Sequence, residues 1–370
     1  MGRFATNRLA SHRRRDGVID QRFTGIGDMT VRTPFRIGLT RDFLKPDGSV
    51  GFGDIGLALL DAAPGVAWDF LPENTPVLSP EQVSDYDGLL VLAPKVTPAT
   101  LATVDRLSVI ARFGVGYDNV DVPACTSAGV MLTITPDGVR RPVAVSAMTL
   151  LLALSHKLLI KDQLTRAGRW SEKLNHMGQG VRGRTLGVIG VGNIGREIFQ
   201  LAAPFEMRHL GYDPFLKTPV AGVDLVSLET LLQEADYIVI CCALTPETHH
   251  LLNADRLSLM KRNSYLINVA RGPIVDQVAL TAALVDQQIA GAGLDVFDVE
   301  PIAADDPLLS LENVILSPHA ICWTDECFRN IGLSACQSLI DVAAGRTPAH
   351  LVNRDVLTNP RLLRKLRSND

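Results

Sequence analysis

Residues 185–195, Thr-Leu-Gly-Val-Ile-Gly-Val-Gly-Asn-Ile-Gly, carry an apolar β-type run straight into the spacing G-x-G-x-x-G, and residues 196–203 continue with helical character. Few folds accommodate that strand, turn and helix. Gly190 permits the tight turn, Gly192 lets a ligand approach the backbone, and Gly195 lets the helix pack closely on the strand. The free N–H groups and positive dipole end of the helix then face an anion at the turn. Eighteen residues after Gly195, Asp213 closes the next β-type run. A carboxylate there can accept from the hydroxyls of an adenosine ribose and repels a 2′-phosphate. Glycine-rich turns also occur for structural reasons alone, so it is the pairing of turn and acid that predicts dinucleotide binding, with NAD preferred over NADP.

The surroundings repeat the same alternation. Short β-type runs at 35–40, 66–71, 88–92, 109–113 and 130–135 are separated by stretches long enough for helices. A second series follows at 186–189, 208–212, 237–242, 265–269, 293–296 and 314–316. Both patterns predict parallel sheets. Between them, Thr135-Pro136-Asp137-Gly138 marks a crossing point, and a nearly apolar helical pattern runs from about 143 to 168. Such a helix must be buried all round, inside a domain or against a second subunit. Residues 325–344 have helical spacing and are expected to fold back onto the first series.

A length of 370 residues, 46% hydrophobic and 21% charged, suits two globular domains, and the formal net charge of -4 gives no support for nucleic-acid or membrane partners. None of the six cysteines forms C-x-x-C or a zinc spacing, so no metal and a reducing, cytoplasmic setting are expected. The basic N-terminus lacks the apolar core of a secretory signal. The longest apolar stretch, near 143–154, is read as too short and interrupted to span a bilayer. P-loop, G-x-S-x-G and H-E-x-x-H motifs are missing, and the pair His249-His250 lacks acidic or Cys partners for a site and reads as surface.

Chemically capable residues fall at successive strand ends of the second series: Thr245, Arg271 after Asn268-Val269-Ala270, Asp295, and His319 after Ser317-Pro318. Ligands of a doubly wound sheet bind at those ends. Reduction at the carbonyl of a 2-keto acid needs a cation for the carboxylate and a proton donor for the carbonyl oxygen. Arg binds a carboxylate through its planar fork, and His titrates near working pH. An acid beside the His, such as Glu300, would favour imidazolium and orient the ring. Each residue alone has a bland reading as a solvated Arg, a turn Glu or a helix-capping His.

In order and in combination, Asn268-Val-Ala-Arg271-Gly272, Gly293-Leu-Asp295-Val-Phe-Asp-Val-Glu300-Pro301 and Ser317-Pro318-His319-Ala320 resemble the D-isomer-specific 2-hydroxyacid dehydrogenases, over roughly residues 34–357. The resemblance implies hydride transfer between NAD(H) and C2 of a small D-2-hydroxy or 2-keto acid. It assigns Arg271 to the substrate, Glu300 to orienting the imidazole and His319 to proton transfer. It places Asn193 and Ile194 at the pyrophosphate, Thr245, Val269 and Ala270 among the cofactor contacts, and Asp295 at the nicotinamide. Backbone N–H groups of Val115 and Gly116, within Arg112-Phe-Gly-Val-Gly-Tyr-Asp-Asn119, would hold the substrate carboxylate. The implied fold is a Rossmann doubly wound parallel sheet inserted into a smaller flavodoxin-like α/β substrate domain. The expected division is 34–137 with 322–357 for substrate and 138–321 for NAD. A flexible extension, 1–33, and a C-terminal tail, 358–370, complete the chain, and a homodimer through the NAD-binding domain is implied.

Some positions depart from the family pattern. Val145-Ser146 stands where Glu-His is common, and Arg140-Arg141 precede it, open to binding a second acidic group on the substrate, to solvent, or to a partner subunit. Pro204 and Glu206 lie where a Gly helix cap would be natural. Trp323 is read either as a pocket wall or as a packed aromatic. The rival function is a catalytically weak NAD(H)-sensing protein on the same scaffold.

Overall fold

In the computed structural model, residues 33–368 are described. The expected N-terminal extension lies outside them except for Thr33. Strands β1 (Phe35–Leu39), β2 (Val66–Phe70), β3 (Gly88–Val91), β4 (Val109–Arg112) and β5 (Met131–Thr133) form one sheet in the order β2-β1-β3-β4-β5. Helices α1 (Leu57–Ala62), α2 (Pro80–Val83) and α3 (Val122–Ala128) connect them. Every named pairing is parallel, so helices must cover both faces, and β3 accordingly is buried at all four residues. The order reverses between β1 and β3, the flavodoxin-like arrangement.

Helix α4 (Pro136–Ser155) then crosses to the second sheet. It begins seven residues before the expected start, because Pro136 suits the first turn and Gly138 is a packing glycine rather than a breaker. A Cβ on Gly138 would lie 2.6 Å from the backbone nitrogen of Ile331. Pro142 is carried inside the helix. The expected single helix to 168 is instead two: Lys157 takes a left-handed φ of 52°, and α5 (Leu158–Arg166) starts afresh. By length and composition alone α4, which extends beyond the apolar stretch 143–154, is long and apolar enough to cross a membrane. It is a core helix here, with Ala144, Ala147, Leu151 and Leu154 buried against the second sheet.

The second sheet gathers β6 (Thr185–Ile189), followed by α6 (Asn193–Ala202), then β7 (Arg208–Tyr212) and β8 (Asp224–Leu225). After α7 (Leu228–Glu234) come β9 (Tyr237–Ile240), α8 (Ala254–Leu257) and β10 (Tyr265–Asn268). Helix α9 (Gln277–Val285), β11 (Gly291–Leu294) and β12 (Val314–Leu316) complete it. Its order, β12-β11-β10-β9-β6-β7-β8, reverses between β6 and β9, as in a Rossmann sheet. All pairings are again parallel.

From β12 the chain returns to the first sheet through α10 (Asp325–Ala343), capped by the Thr324 side chain on Cys327 N–H, with Ile331, Ala335 and Leu339 buried over β3 and β4. Residues 360–368 are not a tail. They form α11 (Pro360–Ser368), with Leu362 buried in the core of the first sheet. Lys365 is buried too, its ammonium donating to Leu107 O and Ala128 O, both at 2.8 Å. The bond to Ala128 O satisfies a carbonyl at the end of α3, and the bond to Leu107 O ties α11 to the segment before β4.

Candidate active site

At the end of β6 the chain turns through Gly190, whose φ of 95° favours glycine, and enters α6 at Gly192. A Cβ on Gly195 would collide with Gly190 O, so only glycine lets the helix start this close to the strand. Gly192 has nothing within 4 Å of a Cβ position, leaving its backbone open. No side chain caps α6, so its first N–H groups remain for an outside acceptor. Asp213 stands at the end of the neighbouring β7, its two oxygens accepting from Val191 N–H and Phe215 N–H at 3.0 Å each. It shares a cavity of about 310 Å³ with Gly192, Asn193, Arg196 and Phe215. The open glycine edge, the uncapped helix and a carboxylate one strand away fit a dinucleotide. Arg196 is the unexpected member of that wall; it donates to Val191 O at 3.3 Å.

Arg271, Glu300 and His319 follow β10, β11 and β12, three adjacent strands, so their loops emerge side by side. Buried Asn268 shapes the first loop, accepting from Ala270 N–H at 3.0 Å and donating to Arg271 O at 2.9 Å. Gly272 lets that loop touch the next, because a Cβ there would collide with the backbone of Phe297. In the second loop, Glu300 Oε1 accepts from Phe297 N–H at 3.0 Å, and Oε2 stands 2.8 Å from His319 Nδ1. His319 itself has a left-handed φ of 54°, a strained state for a residue with a side chain. Asp295 stabilises that turn, its Oδ1 accepting from Ala320 N–H at 2.9 Å and Ile321 N–H at 3.1 Å.

The hydrogen bond that His319 Nδ1 donates to Glu300 raises the His319 pKa, against burial and the nearby Arg271 charge. Burial pushes Glu300 upward, but its bonds to His319 and Phe297 N–H prevail and hold it below the usual carboxylate range. The pair therefore favours imidazolium beside carboxylate. With Nδ1 engaged, Nε2 is the ring nitrogen left for a ligand.

Opposite stands the loop after β4. A Cβ on Gly116 would collide with a terminal nitrogen of Arg271, so the arginine lies directly against the segment of Val115 and Gly116. Arg271 Nε donates to Asp118 Oδ2 at 2.8 Å, and one terminal nitrogen donates to Ala270 O at 2.7 Å. A second cavity, about 700 Å³, opens between Tyr117 and Asp118 on one side and Leu244, Thr245 and His249 on the other. Thr245 is exposed there, while Val269 is half-buried and Ala270 buried just before Arg271.

Several sequence expectations change. Arg140 and Arg141 are engaged by one buried acid on α6, Glu197, at 3.5 and 2.7 Å, a partner none of the expected readings included. Trp323 packs edge-on against Phe52 and Phe328, with ring centroids 5.3 and 5.4 Å away. Glu206 adopts the left-handed cap, φ 54°, where glycine would be natural, and pairs with Arg182 at 2.6 Å. Asn268, Arg196 and the pairing role of Asp118 escaped sequence reading. A buried asparagine at a strand end was the available signal for the first.

Residues 148–320 match the family described as D-isomer specific 2-hydroxyacid dehydrogenase, NAD binding domain. A glyoxylate reductase from Korarchaeum cryptofilum is 39% identical over 284 residues, covering 75% of this chain and 86% of the relative. One from Thermococcus gammatolerans is 40% identical over 288 residues, with the same coverages. Among solved structures, the TT0316 protein of Thermus thermophilus superposes with a TM-score of 0.76 at 32% identity, covering 86% of this chain and 99% of that one. An NAD-dependent formate dehydrogenase from Staphylococcus aureus, in complex with NAD, gives 0.75 at 26% identity, covering 86% and 98%.

Proposed function

This chain belongs to the D-isomer specific 2-hydroxyacid dehydrogenase family, an NAD-dependent enzyme acting at C2 of a 2-hydroxy or 2-keto acid, and we propose that its substrate is a small 2-keto monocarboxylate of the glyoxylate type. The observation that carries the proposal is the meeting of the His319–Glu300 pair with Arg271 where the loops of the two sheets face each other. The glyoxylate reductase relatives support the small substrate. Arg140 and Arg141 each pair with Glu197, which leaves them less available to a second acidic group on the substrate.

In this reading the substrate carboxylate is held by backbone N–H groups of Val115 and Gly116 and by the Arg271 guanidinium, whose charge also polarises the carbonyl. His319 donates a proton from Nε2 to the carbonyl oxygen on reduction and takes it back on oxidation. Glu300 keeps the ring oriented and stabilises its charge. NAD(H), when bound, supplies or accepts the hydride at C2. Gly190, Gly192, Asn193, Ile194 and Gly195 would hold its pyrophosphate, Asp213 its adenosine ribose, and Thr245, Val269, Ala270 and Asp295 its nicotinamide half.

The first sheet with α10 and α11 is the substrate domain, and the second sheet with α4 to α9 the NAD domain. Exposed Leu158, Leu159, Trp170, Leu174 and Met177, on and after α5, support a homodimer through the NAD domain. Six unpaired cysteines support a reducing, cytoplasmic setting. A panel of glyoxylate, hydroxypyruvate, pyruvate and a branched 2-keto acid, followed by loss of NADH absorbance, tests the substrate assignment. Highest kcat/KM on glyoxylate or hydroxypyruvate is expected; a preference for the branched acid contradicts it.

A further inference from the structure

We propose that Asp118 is a positioning residue for this reaction: its carboxylate, presented from the loop after β4, holds the Nε edge of Arg271 and so aims the guanidinium at the substrate carboxylate. The proposal rests on reading Arg271 as the carboxylate-binding group. Asp118 and Arg271 lie 153 residues apart, on loops that follow strands of different sheets. Their hydrogen bond therefore exists only while those loops face each other, and apposition of the two sheets sets the orientation of the arginine.

The geometry separates this contact from an ordinary surface ion pair. Arg271 is bound at two places, by Asp118 at Nε and by Ala270 O at one terminal nitrogen, and its flank lies against Gly116. Turning the guanidinium away breaks both bonds. The loop that carries Asp118 is itself braced. Arg112 Nε donates to Asn119 Oδ1 at 3.2 Å, and Asn119 Nδ2 donates to Pro94 O at 2.9 Å. Burial, and then the like charge of Arg271, push the Arg112 pKa down to about 10, while Asp118 pulls it up. Asp118 thus stands beside two cations and moderates their repulsion while fixing one of them.

Kinetics with saturating NADH test this on Asp118→Ala and Asp118→Glu. In the alanine variant KM for glyoxylate should rise roughly tenfold, the scale of one charge-assisted hydrogen bond lost at a partly exposed site. kcat should fall by less than KM rises, since a misaimed Arg271 polarises the carbonyl less while the proton donor is untouched. The glutamate variant should recover part of the loss. Oxamate, an unreactive 2-keto acid mimic, should bind the NADH-loaded alanine variant more weakly by a similar factor. NADH affinity and thermal midpoint should match wild type. An unchanged KM and oxamate affinity overturns the proposal, as does a loss that falls on NADH affinity or thermal midpoint instead. If the wild type reduces no 2-keto acid yet binds oxamate in an Asp118-dependent way, the functional reading fails and the positioning role stands.

Discussion

Glu300 Oε2 lies 2.8 Å from His319 Nδ1, and the other oxygen of the same carboxylate is anchored by Phe297 N–H. One acid is thereby tied to its own loop and to the imidazole ring. The pairing raises the histidine pKa and lowers that of the glutamate, so both charged forms persist together.

This sets the sign of the pH dependence. Keto-acid reduction needs imidazolium, so kcat/KM should be high below the raised His319 pKa and fall as pH rises through it. Oxidation of the hydroxy acid needs neutral imidazole and should show the opposite limb. Glu300→Gln removes the main cause of the shift, and the reduction limb should move to lower pH. A pH–rate profile unchanged by that substitution contradicts the pairing.

Asp213, which we propose sets the choice between NAD and NADP, lines a cavity together with Arg196. Replacing it with Ala removes the carboxylate that repels a 2′-phosphate and leaves the nearby cation in place. The ratio of kcat/KM for NADPH to that for NADH should rise by about tenfold or more, one close charge–charge term. Titration of both cofactors by fluorescence checks the same ratio without turnover, and an unaltered ratio would show that Asp213 does not discriminate.

Asn353 stitches the C-terminal segment to the first sheet. Its amide accepts from Leu132 N–H at 2.9 Å and donates to Val130 O at 2.9 Å, both buried, and to Thr126 Oγ1 at 3.0 Å, partly buried. Asn353→Ala strands a backbone donor and an acceptor. Destabilisation of about 2–4 kcal/mol is expected, the scale of two buried unsatisfied groups. Urea unfolding measures it, and a change under about 0.5 kcal/mol, the range of ordinary surface substitutions, argues that water replaces the amide freely.

The strands were legible because each is a short apolar run between polar turns, and the order of Gly190, Asp213, Arg271, Glu300 and His319 along the chain followed from them. Other elements left weaker traces. β8 is two exposed residues, Asp224 and Leu225, with no apolar pattern to read. The start of α4 was hidden because Gly138 and Pro142 look like breakers until α10 is seen packed against them. α11 opens on Pro360 after a short polar stretch, Thr358-Asn359, that resembles a tail. Long-range partners were illegible in kind: that Asp118 meets Arg271, that Glu197 takes both Arg140 and Arg141, and that Asp295 holds the turn after His319 depend on the sheets being assembled. Residue type and spacing announce capacity, while partner identity comes from tertiary contact.

Single-turnover and steady-state reduction of glyoxylate by His319→Ala, measured beside NADH binding, bears most directly on the central claim. The account expects kcat to fall by about two to four orders of magnitude, the contribution of a positioned general acid, with NADH affinity close to wild type. Wild-type turnover in that variant would contradict it.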